Sequence, residues 1–130
     1  MLFAGLYWGA RSTAASRSQI SFRTPGQTAY TTVTASRLDV TSGTYQGFTD
    51  VTGAVRAAGS GQYWAGNITA TTNTNDYAGW SLVVVYENSA LPLRNLTVFD
   101  GYGIVQNTVA DRRVDINLSG FLTPPFGAVT

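Results

Sequence analysis

The sequence predicts an all-β fold, an antiparallel β-sandwich of jelly-roll type with one short helical turn, and three observations predict it. Ile20 and Phe22 alternate with Ser21 and Arg23, and several other short runs do the same; this is the two-residue period of half-buried strands. Turn-forming groups such as Thr24-Pro-Gly26 and Thr41-Ser-Gly43 separate the runs, because proline presets a bend and glycine accepts positive φ. There is no long helical pattern. At 130 residues the chain is read as one domain, 1–130, able to bury roughly two-thirds of the surface its unfolded form exposes.

Leu2 to Trp8 is a first apolar strand with Gly5 inside it, and Gly9 to Ser16 is a small-residue loop. Ser18 to Arg23 pairs as a hairpin with the Thr-, Val- and Tyr-rich run Ala29 to Ala35, and Arg37 to Val40 and Tyr45 to Phe48 are further strands. Asp50 to Ala58 is the helical candidate: Asp50 caps free N–H groups, Val51 and Val55 share a face, and Gly59-Ser-Gly61 ends it. Gln62 to Thr71 alternates, with Trp64, Gly66, Ile68 and Ala70 inward and Tyr63, Asn67, Thr69 and Thr71 outward.

After a polar loop, Thr72 to Asp76, the run Tyr77 to Tyr86 is apolar on both pleat faces: Trp80, Leu82, Val84 and Tyr86 on one, Val83 and Val85 on the other. That pattern predicts a central strand covered on both sides. Asn88 to Pro92 then connects it to a second core strand, Leu93 to Gly101, and Val114, Ile116 and Leu118 mark a last half-buried strand. The tail from Leu122, with Pro124-Pro125, reads as extended coil or an edge. The expected count is about eight to ten strands.

Composition removes much of catalytic chemistry, since the chain has no Cys, no His and no Lys, all eight basic residues being Arg. Ser-His-Asp and Cys-His pairs, lysine Schiff bases, thiolate or imidazole zinc sites and disulfides are therefore excluded. A glycosidase needs two carboxylates across a cleft; one Glu among seven acids and no evident motif argue against it, so no catalytic residue is assigned and the protein is read as not an enzyme. The net charge is +1, with arginines scattered from Arg11 to Arg113, which is no footprint for nucleic acid. No window approaches the roughly 20 apolar residues that span a bilayer, so no membrane insertion is expected. Few charges (12%) among many Thr, Ser, Asn and Gly residues fit a secreted or cell-surface protein.

Sugars stack on exposed aromatic rings and hydrogen-bond to nearby Asp or Asn. Alternation assigns Trp8, Trp64 and Trp80 to the core, leaving Tyr77, beside Asn75 and Asp76 in a loop, as the sugar-contact candidate. Asp100 and Tyr102 in a later Gly-containing loop complete the candidate ligand set of Asp76, Tyr77, Asp100 and Tyr102. Asp76, Asp100 and Asp111 lie in loops as calcium ligands do, but no D-x-D-x-D-G spacing occurs; neither metal nor cofactor is expected. Asp39 is read as a strand-end turn, and Arg94 as a partner of Glu87 or Asp100.

The segments Tyr77-Ala-Gly-Trp-Ser-Leu-Val-Val-Val-Tyr86 and Leu93-Arg-Asn-Leu-Thr-Val-Phe-Asp-Gly101 resemble a β-rich domain of large secreted or cell-wall-associated bacterial proteins, especially those of actinobacteria. Leu6-Tyr-Trp-Gly-Ala10, Asp50-Val-Thr52 with Val55-Arg56, Gly61-Gln-Tyr63, and Ser119-Gly-Phe121 with Pro124 and Gly127 resemble its other landmarks in the same order. Similar domains continue past the Pro-rich segment with acidic, Gly-rich sequence and further strands, so the chain looks like an amino-terminal part. The resemblance implies no catalytic or ligand residue. It implies a non-enzymatic structural or adhesive module whose open sheet edge pairs with another copy or another surface protein, any specificity lying in loops 9–16, 41–47, 72–79 and 100–111. The alternative is a carbohydrate-binding module using loop aromatics and Asp, with a glycan as partner.

Overall fold

A strand with one face on the core is buried further when both of its edges meet other strands, and β1 (Phe3–Arg11) meets both conditions. The computed structural model describes residues 2–92, 96–103, 105 and 112–120. The chain forms two compact units, Met1–Glu87 and Asn88–Thr130. In the first, β1 is followed by β2 (Gln19–Arg23), β3 (Thr31–Thr34), β4 (Arg37–Thr41), β5 (Thr44–Asp50), α1 (Thr52–Ala58), β6 (Trp64–Gly66) and β7 (Ala78–Val85). These make two antiparallel sheets, ordered β4-β5-β1-β7 and β3-β2-β6. Mostly β with one short helix, the fold is all-β as expected.

Local chemistry sets the connections. β2 and β3 form the expected antiparallel pair, with Ile20 opposite Val33. Gln27 N–H closes the turn after β2 on the Thr24 carbonyl at 3.2 Å. β4 and β5 are joined by Ser42 and Gly43, whose φ angles of 50° and 76° match the right-handed twist of a tight hairpin. Val51 and Val55 are both buried, as their shared helical face requires. Gly59, at φ 70°, ends α1 by donating to the Val55 carbonyl at 2.9 Å. Asp50 stands one residue outside the N-cap Val51 and accepts the Thr52 N–H at 2.8 Å.

The core draws on both sheets and the helix: Ala4, Leu6, Trp8 and Ala10 of β1, Ile20 and Phe22 of β2, Tyr45 of β5, and Val51 and Val55. Trp8 lies across Gly47, where an added Cβ would sit 2.5 Å from the indole ring. Its ring N–H is satisfied by the Arg17 carbonyl at 3.1 Å, and the Tyr45 hydroxyl by the Thr69 carbonyl at 2.9 Å. Full burial of side chains such as Leu6 or Ile20 contributes about 1.5–3 kcal/mol each.

Three expectations need correction. β7, read as a central strand covered on both sides, is the edge strand of its sheet among the described residues, with Trp80, Val83 and Val84 more than a third exposed. Register puts Trp80 opposite buried Trp8 and therefore on the inner face, but the facing three-stranded sheet leaves it uncovered.

The run Gln62 to Thr71 is a strand only over Trp64–Gly66, and its phase is the reverse of the expected one. Trp64 pairs with Arg23 and Gly66 with Ser21 on the outer face, while Ala65 pairs with buried Phe22. Asn67, at φ 58°, then resets the phase, so that Ile68 and Ala70 pack against the core as predicted.

The predicted strands in the second unit do not form among its described residues, which contain no strand or helix. Leu96, Val98, Phe99, Val114, Ile116 and Leu118 are exposed. Alternation records which face of a segment is apolar; it does not supply a neighbouring strand to pair with. Leu93, Arg94, Asn95, Asp111 and the tail from Phe121 lie outside the described residues.

Candidate functional site

The structure assigns different surroundings to the four residues expected to bind a ligand. Asp76 and Tyr77 adjoin in the turn that enters β7. The Asp76 carboxylate accepts from the Thr71 hydroxyl at 2.5 Å and from the Asn73 N–H at 3.2 Å, and the Thr71 hydrogen bond chiefly holds its pKa below the ordinary carboxylate value. Asp76 is thus a loop staple. The Tyr77 ring is 66% exposed. Asp100 and Tyr102 belong to the second unit, Asp100 exposed and Tyr102 half-buried. Asp39 pairs with Arg37 at 3.1 Å. Of the expected specificity loops, residues 9–11, 41, 44–47 and 78–79 are strand instead.

Two features missed by the sequence reading are more extensive than that turn. The first is the β7 edge: eight residues, Ala-Gly-Trp-Ser-Leu-Val-Val-Val, with no charge and a strand neighbour on one side only among the described residues. The other edges differ. β4 carries Arg37 and Asp39, β3 is Thr-Thr-Val-Thr, and β6 has three residues. Charge, polarity and shortness protect sheet edges from unwanted pairing, and β7 has none of these.

The second feature is a groove of about 440 Å³ on the β3-β2-β6 sheet. The β2–β6 ladder stops at Ser21–Gly66. Left-handed Asn67 then turns the chain away from β2, and the space between holds Ser16, Gln19, Ser21, Thr32, Asn67 and Thr69. The Thr69 hydroxyl donates to that of Ser16 at 3.2 Å, and the Asn67 amide to the Ser21 hydroxyl at 3.4 Å. One step along the same face, the Arg23 guanidinium lies 3.8 Å from the Trp64 ring centroid and 5.1 Å from that of Tyr30. An asparagine three residues after a tryptophan, within an otherwise alternating run, was the sequence signal for this break, since Asn enters the left-handed region readily.

No group of three or more acidic side chains able to hold a metal occurs among the described residues, and no helix among them is long and apolar enough to cross a membrane. Comparison with family models, with curated proteins and with solved structures returns no match.

Proposed function

We propose that the chain is a non-enzymatic structural or adhesive module of a bacterial secreted or cell-surface protein, a sandwich of jelly-roll type that associates with a second copy through the β7 edge. The observation that carries this reading is the uncharged, apolar strand Ala78–Val85, whose far side has no strand neighbour among the described residues. A two-fold antiparallel pairing with Leu82 opposite Leu82 sets Trp80 beside Val84 of the other copy. Inner-face residues then stay on the inner face, and two sheets join into one. No like charges meet along the seam.

Light scattering from about 1 μM to about 1 mM protein tests it. The mass should double with concentration, and Val83→Lys should weaken association by at least about tenfold with an unchanged thermal melt. A strict monomer over that range, or a dimer indifferent to both Val83→Lys and Val84→Lys, overturns the reading. The alternative, a carbohydrate-binding module at Asp76 and Tyr77, draws support from the exposed Tyr77 ring; the Asp76 carboxylate is already engaged by Thr71 and Asn73.

A further inference from the structure

We infer that the groove between β2 and residues 67–70 binds a neutral oligosaccharide, at a site separate from both the β7 edge and the Tyr77 turn. The lining polar groups are four hydroxyls (Ser16, Ser21, Thr32, Thr69) and two carboxamides (Gln19, Asn67), and none is ionisable. Hydroxyls and carboxamides both donate and accept hydrogen bonds, as the hydroxyls of a sugar also do. Within the groove a charged ligand would lose hydration without gaining an opposite charge, and the cation further along the face, Arg23, is already stacked on Trp64. Ile68 and Ala70 add apolar surface to the wall, suited to the C–H face of a pyranose ring. The volume of about 440 Å³ falls within the range of small-molecule sites.

The shape of the face favours a chain of sugars over a single one. Gln19, Ser21 and Arg23 follow one another along the outer face of β2, a run of about 13 Å. Beyond the groove that run meets the half-exposed Tyr30 ring, held against Arg23 opposite Trp64. The break that opens the groove is kept at a backbone conformation disfavoured by roughly 1–2 kcal/mol for most residues. Without it, continued pairing would put Asn67 opposite Ile20 and Ile68 opposite Gln19, filling the space. A peptide in the same groove is the main rival occupant, but the lining offers no deep apolar pocket to select a side chain.

Amide chemical-shift titration of the full chain with cellohexaose, laminarihexaose and chitohexaose, alongside a hyaluronan hexasaccharide and an uncharged hexapeptide, tests the assignment. A neutral oligosaccharide should give saturable shifts at residues 19–21, 32 and 66–70. The affinity should hold between about 50 mM and about 500 mM salt, because no ion pair is screened. The double variant Gln19→Ala, Thr32→Ala, both positions exposed, should weaken binding at least about tenfold with no change in melting temperature. The inference is overturned if none of the neutral sugars saturates, if the shifts centre on Tyr77 or Tyr77→Ala abolishes them, or if only hyaluronan or the peptide binds.

Discussion

β1 and β7 are neighbours paired over eight residues, and by apolar content β7 is the stronger candidate for a core strand. The structure reverses that ranking. β1, with two glycines and two alanines in Phe-Ala-Gly-Leu-Tyr-Trp-Gly-Ala-Arg, buries Ala4, Leu6, Trp8 and Ala10 almost completely, while every residue of β7 keeps some exposure. Position in the sheet decides the difference, and small residues are what make the central position habitable. The rings of Phe3, Tyr7 and Phe48 close over Gly5, and Trp8 closes over Gly47 of β5. A central strand must let neighbouring side chains come close, whereas an edge strand can be bulky throughout.

The largest test of this contrast is a pair of identical substitutions on directly opposed residues. Trp8→Ala removes a buried ring with a satisfied N–H and should cost about 3–5 kcal/mol. Trp80→Ala, on the same face but 39% exposed, should cost only about 1–2 kcal/mol. Urea unfolding followed by far-ultraviolet circular dichroism measures both. Equal losses would mean that β7 is as deeply packed as its sequence implies and would erase the distinction.

Much of the first unit was legible because its signals are local. The turns at Thr24-Pro-Gly26 and Thr41-Ser-Gly43 and the helix ended by Gly59 each depend on residues within a few positions of one another, and the β2–β3 pair joins neighbouring strands no more than 15 residues apart. What was not legible depends on partners distant in sequence. Nothing within Tyr77–Tyr86 says whether one strand or two will lie beside it. The phase of Gln62–Thr71 was misread because a single left-handed residue, Asn67, exchanges the faces. Trp64 consequently stacks on Arg23 at the surface, while Tyr63 stacks on Phe22 at 6.0 Å between centroids. The candidate site shared this fate: Asp76 and Tyr77 were found as a turn, but hydroxyls spread over four segments leave no pattern in the sequence.

The close approach that distinguishes β1 can be attacked from its neighbour. Gly47→Ala places a methyl 2.5 Å from the Trp8 ring, and because Trp8 is enclosed the ring has little room to yield. The expected loss is about 1–3 kcal/mol. Gly79→Ala on β7 meets nothing within 4 Å and should fall within about 0.5 kcal/mol of the parent. Thermal unfolding of the two variants side by side decides the matter; a tolerated Gly47→Ala would show that β1 needs no small partner.

The smallest expected effect concerns how the ends of β1 are held. At its start, the Ala4 N–H donates to the Thr52 hydroxyl oxygen at 2.8 Å, and at its finish the Thr71 N–H donates to the Arg11 carbonyl at 2.8 Å. Each threonine is engaged by a carboxylate, Asp50 or Asp76. Hydrogen bonds from the Thr52 side chain and backbone lower the pKa of Asp50, as that from the Thr71 side chain chiefly lowers that of Asp76. A carboxyl with a folded pKa below its unfolded value contributes stability above the unfolded value, near 3.9, and loses it as pH falls through the folded one. Burial raises the pKa of Tyr45 and Tyr63, so their contribution is present below an unfolded value near 10 and lost above it. With no histidine in the chain, stability should be flat between about pH 5 and about pH 9, falling below that range as the carboxylates protonate and above it as the tyrosines ionise. Asp50→Asn with Asp76→Asn should flatten the acid limb while leaving the alkaline limb in place. Because both carboxylates are exposed the change is modest, and melts at closely spaced pH values are needed to see it. An acid limb identical in parent and double variant would show that β1 is held by its register and core alone, with no contribution from the threonines and carboxylates at its ends.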